Sequence, residues 1–270
     1  MQLNKVYTEN CLFTMAKMPD NFIDLTITSP PYDDLRNYNG YSFDFESIAK
    51  ELFRATKQGG ILVWVVGDAV VNGSETGTSF KQALFFKEIG FNLHDTMIYK
   101  KQSPAYPAND KSNRYGQVFE YMFVLTKGNP KTFNLLKDKK NKWAGHRNFG
   151  TPSERLKNGE IKERSKQKTT QNFGYRFNIW EYASGYGNST KDEIAYSHPA
   201  IFPEQLAGDH IISWSNPGDV VYDCFGGSGT VAKMCHLLHR NWIISEISEK
   251  YVNEITLPRL LPYLNQTLLL

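Results

Sequence analysis

Six consecutive apolar residues, Ile61-Leu62-Val63-Trp64-Val65-Val66, follow a Gly59-Gly60 break and leave no polar side chain to turn toward water. A strand of that kind needs cover on both faces, which a parallel sheet flanked by helices supplies. The residues before it agree. The run Phe45-Glu46-Ser47-Ile48-Ala49-Lys50-Glu51-Leu52-Phe53-Arg54-Ala55 spaces its apolar side chains for a helix, and residues 22–28 form a β-rich run stopped by Ser29-Pro30-Pro31-Tyr32. Strand, helix, strand predicts a parallel unit. Residues 79–89 repeat the helical spacing, 91–99 supply another strand, and 118–126 form a further buried one. After an interruption the rhythm resumes, with a helix over 203–213, a strand over 220–224, a helix over 229–238 and a strand over 242–246. The predicted fold is therefore α/β, a doubly wound sheet assembled from both ends of the chain.

The interruption carries the charge. Residues 100–176 hold 18 Lys/Arg and 6 Asp/Glu, or +12, against −9 for the rest, so the whole-chain value of +3 is a near-cancellation. A clustered positive field is the footprint of a polyanionic partner. Aromatic residues are interleaved with the charge in Lys142-Trp143-Ala144-Gly145-His146-Arg147-Asn148-Phe149 and Asn172-Phe173-Gly174-Tyr175-Arg176-Phe177. Such a mixture can stack on bases and neutralise phosphates, so Lys142, Trp143, Arg147 and Arg176 are candidate nucleic-acid contacts. For residues 157–168 a solvated, flexible insertion accounts for the charge equally well.

Two loops at predicted strand ends carry the chemistry. In Val220-Val221-Tyr222-Asp223-Cys224-Phe225-Gly226-Gly227-Ser228-Gly229-Thr230 an apolar strand meets a Gly-rich turn and then a helix. Glycines allow tight turns and close ligand approach, while a helix start offers unsatisfied N–H donors. Glu246 follows Gly229 by 17 residues at the end of the next strand, where a carboxylate can accept from ribose hydroxyls. The chain has no GxxxxGK[ST], which disfavours a triphosphate cradle, and the turn departs from the GxGxxG of dinucleotide sites. In Ser29-Pro30-Pro31-Tyr32 two prolines fix φ and remove two donors, leaving the Ser29 and Pro30 carbonyls and the Ser29 hydroxyl as acceptors. An exocyclic amine donates to such groups, and Tyr32 can stack on a base taken out of its helix.

Together, Thr28-Ser29-Pro30-Pro31-Tyr32 and Asp223-Cys224-Phe225-Gly226-Gly227-Ser228-Gly229-Thr230 resemble the amino-methylating DNA methyltransferases of the beta arrangement, in which the SPPY-type motif precedes the target-recognition region and the FxGxGT-type motif comes last. The resemblance implies a Rossmann-like, S-adenosylmethionine-dependent sheet with an inserted basic target-recognition region. Its organisation is a catalytic half over 1–99, a basic target-recognition insertion over 100–195 within which 118–126 is a candidate core strand, and a cofactor half over 196–270. It further implies that Ser29, Pro30, Pro31 and Tyr32 hold a flipped base and direct its amine. Asp223, Cys224, Phe225, Gly226, Gly227, Gly229, Thr230 and Glu246 then line the S-adenosylmethionine site, with Glu246 on the ribose. His198-Pro199-Ala200-Ile201-Phe202-Pro203-Glu204 looks like the family element for the methionine part of the cofactor, which adds Phe202 and Pro203. The chain has Asp223-Cys224-Phe225 where relatives often have Asp-Pro-Phe, and Glu9-Asn10-Cys11 where many carry Gly-Asp; Asn10 is retained as a contact to the cofactor adenine.

The implied reaction needs no metal and no covalent intermediate, because a sulfonium methyl is already activated and alignment supplies much of the rate. No Pro-Cys nucleophile motif is present, which argues against cytosine C5 chemistry. Ser in the first motif position favours cytosine-N4 over adenine-N6, although both bases offer an exocyclic amine. An RNA methyltransferase and a non-catalytic DNA-binding module are the rival readings. The expected partner is double-stranded DNA, with a cognate restriction endonuclease, an orphan role and phage self-protection all compatible, as are monomer and homodimer. Asp68, after the strand at 61–66, reads as a helix cap, Cys224 as a packing residue, and Leu268-Leu269-Leu270 as core or a dimer contact. Three cysteines without CxxC spacing, and no apolar run near ~18 residues, predict a soluble protein of a reducing, cytoplasmic compartment, associated with the nucleoid, with no disulfide framework and no membrane span.

Overall fold

The computed structural model describes residues 1–31, 43–104, 108–147, 153–163 and 169–266. Tyr32, Asn148, Phe149, residues 164–168 and Leu268-Leu269-Leu270 lie outside them.

An eight-stranded sheet organises the larger of two compact units, which comprises Met1–Asn134 and Asn178–Leu270. Its strands are β1 (Lys5–Tyr7), β2 (Ile23–Thr28), β3 (Thr56–Val66), β4 (Asn92–Lys101), β5 (Phe119–Thr126), β6 (Ile179–Tyr182), β7 (Val220–Asp223) and β8 (Asn241–Ser245). The spatial order is β1-β8-β7-β2-β3-β5-β4-β6. Strand β5 is antiparallel to both its neighbours, and every other neighbouring pair is parallel. The strands predicted from apolar runs are all present, and the run Ile61–Val66 is buried along its whole length. Strands β1 and β6 were not predicted. They have three and four residues, too few for a periodicity to show, and their pairing with β8 and β4 holds them in place.

Helices α1 (Cys11–Ala16), α2 (Phe45–Ala55), α3 (Thr78–Glu88), α4 (Glu204–Trp214), α5 (Thr230–Leu237) and α6 (Leu257–Gln266) accompany the sheet. Helix α2 buries Ile48, Ala49, Leu52 and Ala55, one face at i, i+1, i+4 and i+7, and Asp44 caps it by accepting from Ser47 N at 3.2 Å. The largest buried side chain of β3, Trp64, satisfies its indole by donating to Gln82 Oε1 of α3 at 2.8 Å. Asp68 accepts from Ser79 N at 2.9 Å and from the Ser79 hydroxyl, anchoring the start of α3.

The second unit is Leu135–Phe177. It contains a ladder between Ser153–Arg155 and Ile161–Glu163, another between Lys139–Lys140 and Phe173–Gly174, and an isolated bridge from Arg147 to Thr169. It holds 12 Lys/Arg and 4 Asp/Glu, leaving 19 and 24 in the larger unit. Within the 100–195 stretch, β5 belongs to the large sheet, as its apolar run implies, and so does β6, which the sequence did not mark. No helix among the described residues is long and apolar enough to cross a membrane.

Candidate active site

The chain proceeds from β2 outward to β3 on one side, and on the other side β7, β8 and β1 complete the sheet, so the winding reverses between β2 and β7. In open α/β sheets ligands bind beyond the carboxyl ends of strands at such a reversal. There Thr28, the last residue of β2, donates its hydroxyl to Asp223 Oδ1, at the end of β7, at 2.7 Å. This buried bond joins the two loops singled out in the sequence across 195 residues of chain.

A cavity of about 930 Å³ opens over these strand ends. Ser29, Pro30 and Pro31 line it from β2, and Asp223, Cys224, Phe225, Gly226, Gly227, Ser228 and Thr230 line it from the turn after β7. Glu246 after β8, Asn10, Phe202 and Pro203 line it as well. Gly229 does not border the cavity; at φ 79° it caps α5 in the left-handed region that suits glycine. A side chain on any of the turn's three glycines would press on a neighbour, on Gly229 at 3.0 Å from Thr256 Cγ2. A Cβ on Gly226 would stand 3.0 Å from Ile244 Cβ, and one on Gly227 3.0 Å from His198 Cε1. Asn10 serves α1 through its Oδ1, which accepts from Leu12 N at 2.9 Å.

The turn is held from beneath by acids. Asp223 Oδ1 also accepts from Phe225 N at 3.0 Å. Glu246 accepts from Gly227 N and Ser248 N, each at 2.9 Å, through its two oxygens. Burial pushes the Asp223 carboxyl up to about 7, with the Glu246 charge adding to the effect, against hydrogen bonds from Thr28 and Phe225. Burial raises Glu246 too. Cys224 is buried, its thiol within 3.5 Å of the Thr28 hydroxyl, and burial raises its pKa well above the ordinary value. A thiol kept protonated in this way packs and does not attack.

Several lining residues escaped the sequence reading. Tyr99, Lys101 and Glu120 come from the far strands β4 and β5, with Lys101 paired to Glu120 at 2.6 Å, and Ser184, Gly185, Ser189 and Tyr196 come from the segment between β6 and α4. Their positions follow from strand order, which local patterns do not encode. A buried ionic cluster beside the turn was also missed. Asp192, Glu204, Lys233 and Arg259 meet there, with Lys233 Nζ at 2.7 Å from both acids. Burial alone would raise the Asp192 carboxyl, yet hydrogen bonds from Arg259 and Lys233 hold it below the ordinary range. The one available signal was a charged residue on the apolar face of α5, Lys233.

In the second unit Lys142, Trp143 and Arg147 are exposed. Lys142 Nζ lies 5.4 Å from the Trp143 ring centroid, and Lys139 Nζ 4.2 Å from that of Phe177. Trp143 is 62% exposed and Phe177 71%. Arg176 differs from the other candidates, because its guanidinium is engaged by Asp138, with Nε at 2.7 Å from Oδ1.

Residues 23–257 match the N6_N4_Mtase family model, described as DNA methylase. The orphan methyltransferase M.BamHII of Bacillus amyloliquefaciens is 60% identical over 232 residues, 86% of each chain. Among solved structures, the PvuII cytosine-N4-specific DNA methyltransferase superposes with a TM-score of 0.66 at 21% identity, covering 97% of this chain and 91% of that one. The M1.HpyAVI–SAM complex gives 0.58 at 21% identity, covering 93% and 96%.

Proposed function

Since the chain belongs to the N6_N4_Mtase family of DNA methylases, we propose that it transfers a methyl group from S-adenosylmethionine to the exocyclic N4 of cytosine in a specific DNA sequence. The observation that carries this reading is one cavity lined by both Ser29-Pro30-Pro31 and the turn from Asp223 to Thr230. Donor and acceptor of the methyl group must occupy one enclosed space, and this cavity brings the two loops to it.

The residues suit such a ligand pair. A volume of about 930 Å³ lies near the upper end of single-ligand pockets, ~1,000 Å³, and leaves room for a nucleoside-sized cofactor with a base beside it. Gly226 and Gly227 line the cavity at positions where a side chain would press on Ile244 and His198, and the half-buried Glu246 can accept from a ribose diol. When bound, S-adenosylmethionine supplies a methyl group on an already activated sulfonium. The chain then has to orient the amine and exclude water. The Ser29 side chain and the Pro30 carbonyl accept the two N–H bonds of the amine, which aims its lone pair, and the proline pair fixes their direction. Tyr32 stacks on the base. The turn from Asp223 to Thr230 and the Glu246 carboxylate would hold S-adenosylmethionine for that transfer.

Cytosine is favoured by Ser29 in the first motif position, and the name of the PvuII enzyme supports that choice. The name of the M.BamHII relative supports an orphan role over one tied to a partner endonuclease. Expression in a methylation-free host, followed by modification-sensitive sequencing and mass analysis of nucleosides, is expected to give N4-methylcytosine at one recurring site. N6-methyladenine alone would overturn the base, and methylation of RNA alone would overturn the DNA substrate.

The second unit supplies the DNA grip in this reading, through exposed aromatics with lysines over their rings and a charge of +8. Base–aromatic stacking contributes ~1–3 kcal/mol. Trp143→Ala is therefore expected to weaken duplex binding roughly 5- to 150-fold with cofactor affinity unchanged, measured by fluorescence anisotropy and calorimetry. Wild-type binding should also fall steeply as salt rises. Unchanged DNA affinity in the variant would remove Trp143 from the interface.

A further inference from the structure

The turn from Gly226 to Gly229 has all its inner carbonyls occupied from within the protein. Gly226 O accepts from Gly229 N at 2.8 Å, Gly227 O from Thr256 Oγ1 at 2.7 Å, and Ser228 O from Arg259 Nη1 at 2.9 Å. Gly227 and Ser228 line the cavity, whereas Thr256 and Arg259 do not border it. The two side chains therefore hold the turn from behind.

Arg259 is built into this position. It is 2% exposed, and its other bonds reach Asp192 Oδ2 (2.8 Å), Glu204 Oε1 (2.6 Å), Thr190 Oγ1 (3.3 Å), the Ser228 hydroxyl (3.0 Å) and Thr230 Oγ1 (2.9 Å). Asp192 and Thr190 belong to the segment between β6 and α4, which lines the same cavity through Tyr196 and His198. One planar guanidinium thus fastens two walls together, a task for a five-donor fork that the single point charge of lysine does not perform. Thr256 closes a π-helical turn, Val252–Thr256, immediately before α6. Such turns appear mostly as single irregularities, frequently at functional sites. Here the wider turn ends on the hydroxyl that takes the Gly227 carbonyl.

We propose that Thr256 and Arg259 are positioning residues for the cofactor: by occupying the Gly227 and Ser228 carbonyls, they keep these two acceptors from facing an electronegative group such as the cofactor carboxylate. The inference rests on the reading of this cavity as an S-adenosylmethionine site. A freed carbonyl could swing toward the cavity and repel that group, so both side chains act on cofactor affinity without touching the cofactor.

The test compares wild type, Arg259→Lys, Arg259→Ala and the near-isosteric Thr256→Val, with S-adenosylmethionine affinity measured by calorimetry and duplex affinity by anisotropy. Arg259→Lys should bind S-adenosylmethionine at least about 10-fold more weakly and Thr256→Val about 5-fold. Turnover at saturating cofactor should stay within about 3-fold, since the loss is one of uniform binding, and duplex affinity should not change. Millimolar methylguanidinium should restore cofactor affinity to Arg259→Ala and leave wild type as it was, which a general loss of folding would not allow. Cofactor affinity within about 2-fold of wild type in both Arg259→Lys and Thr256→Val, or a joint fall of cofactor and DNA binding without rescue, overturns the inference. If wild type itself neither binds S-adenosylmethionine nor transfers methyl groups, the reading of the site fails first.

Discussion

Replacing Asp223 with Asn is expected to stabilise the cofactor-free protein at pH 8 and to leave its stability near pH 4 almost unchanged. The carboxyl is buried, and its pKa in the fold is about 7 against an ordinary value of 3.8. The folded state therefore binds a proton more tightly than the unfolded chain does. Its contribution to stability is fully present below about pH 4 and is lost as pH rises through 7, where the buried group must ionise. A displacement of that size corresponds to on the order of 4 kcal/mol. Asparagine keeps an oxygen to accept from the Thr28 hydroxyl and the Phe225 N–H, but carries no charge beside Glu246. Urea unfolding of wild type and variant at the two pH values gives the comparison, and the effects of titrating groups other than the coupled Glu246 cancel in the difference. Two parallel stability–pH curves would show that burial of this carboxyl costs nothing. An acid retained at such a cost at the end of β7, lining the cavity, fits a functional site better than a packing position.

Glu246→Ala is expected to weaken S-adenosylmethionine binding by roughly 30- to 300-fold, with duplex affinity preserved. The side chain has two tasks. Its oxygens accept from Gly227 N and Ser248 N, which fixes the turn over β8, and in the proposed complex they also receive the ribose hydroxyls. A hydrogen bond to a charged group contributes ~1.5–3 kcal/mol, roughly 10- to 150-fold in affinity, and loss of the turn's order adds to it. Glu246→Gln separates the tasks, because its amide retains one acceptor for the backbone and loses the charge. An intermediate loss is expected for Gln. If calorimetry found equal cofactor affinity for wild type and Glu246→Ala, the ribose contact would have to be abandoned and the acid assigned to the turn alone.

These two acids also show where sequence reading reaches. Asp223 and Glu246 were legible because each ends an apolar β-branched run, Val220–Asp223 and Asn241–Ser245 followed by Glu246, and a strand end is marked locally. The same holds for Ser29 and Pro30, where two prolines stop a strand. Helix α2 was legible from its spacing, and the antiparallel course of β5 was not, because an apolar run buried on both faces reads the same in either direction.

What the sequence by itself determined, then, is six of the eight strands of the large sheet, helices α2 to α5 and the chemistry of the two loops, since these rest on residue type and spacing along a few neighbouring positions. Tertiary structure alone decided who meets whom. The strand order brought Thr28 against Asp223, placed Tyr99 and Glu120 in the same cavity as Ser29, and buried Arg259 among Asp192, Glu204 and Ser228. The physical reason is that a backbone rhythm constrains each segment separately. The partners of a buried charge are chosen by packing between segments distant in the chain, where one unpaired group would cost more than any local preference can offset.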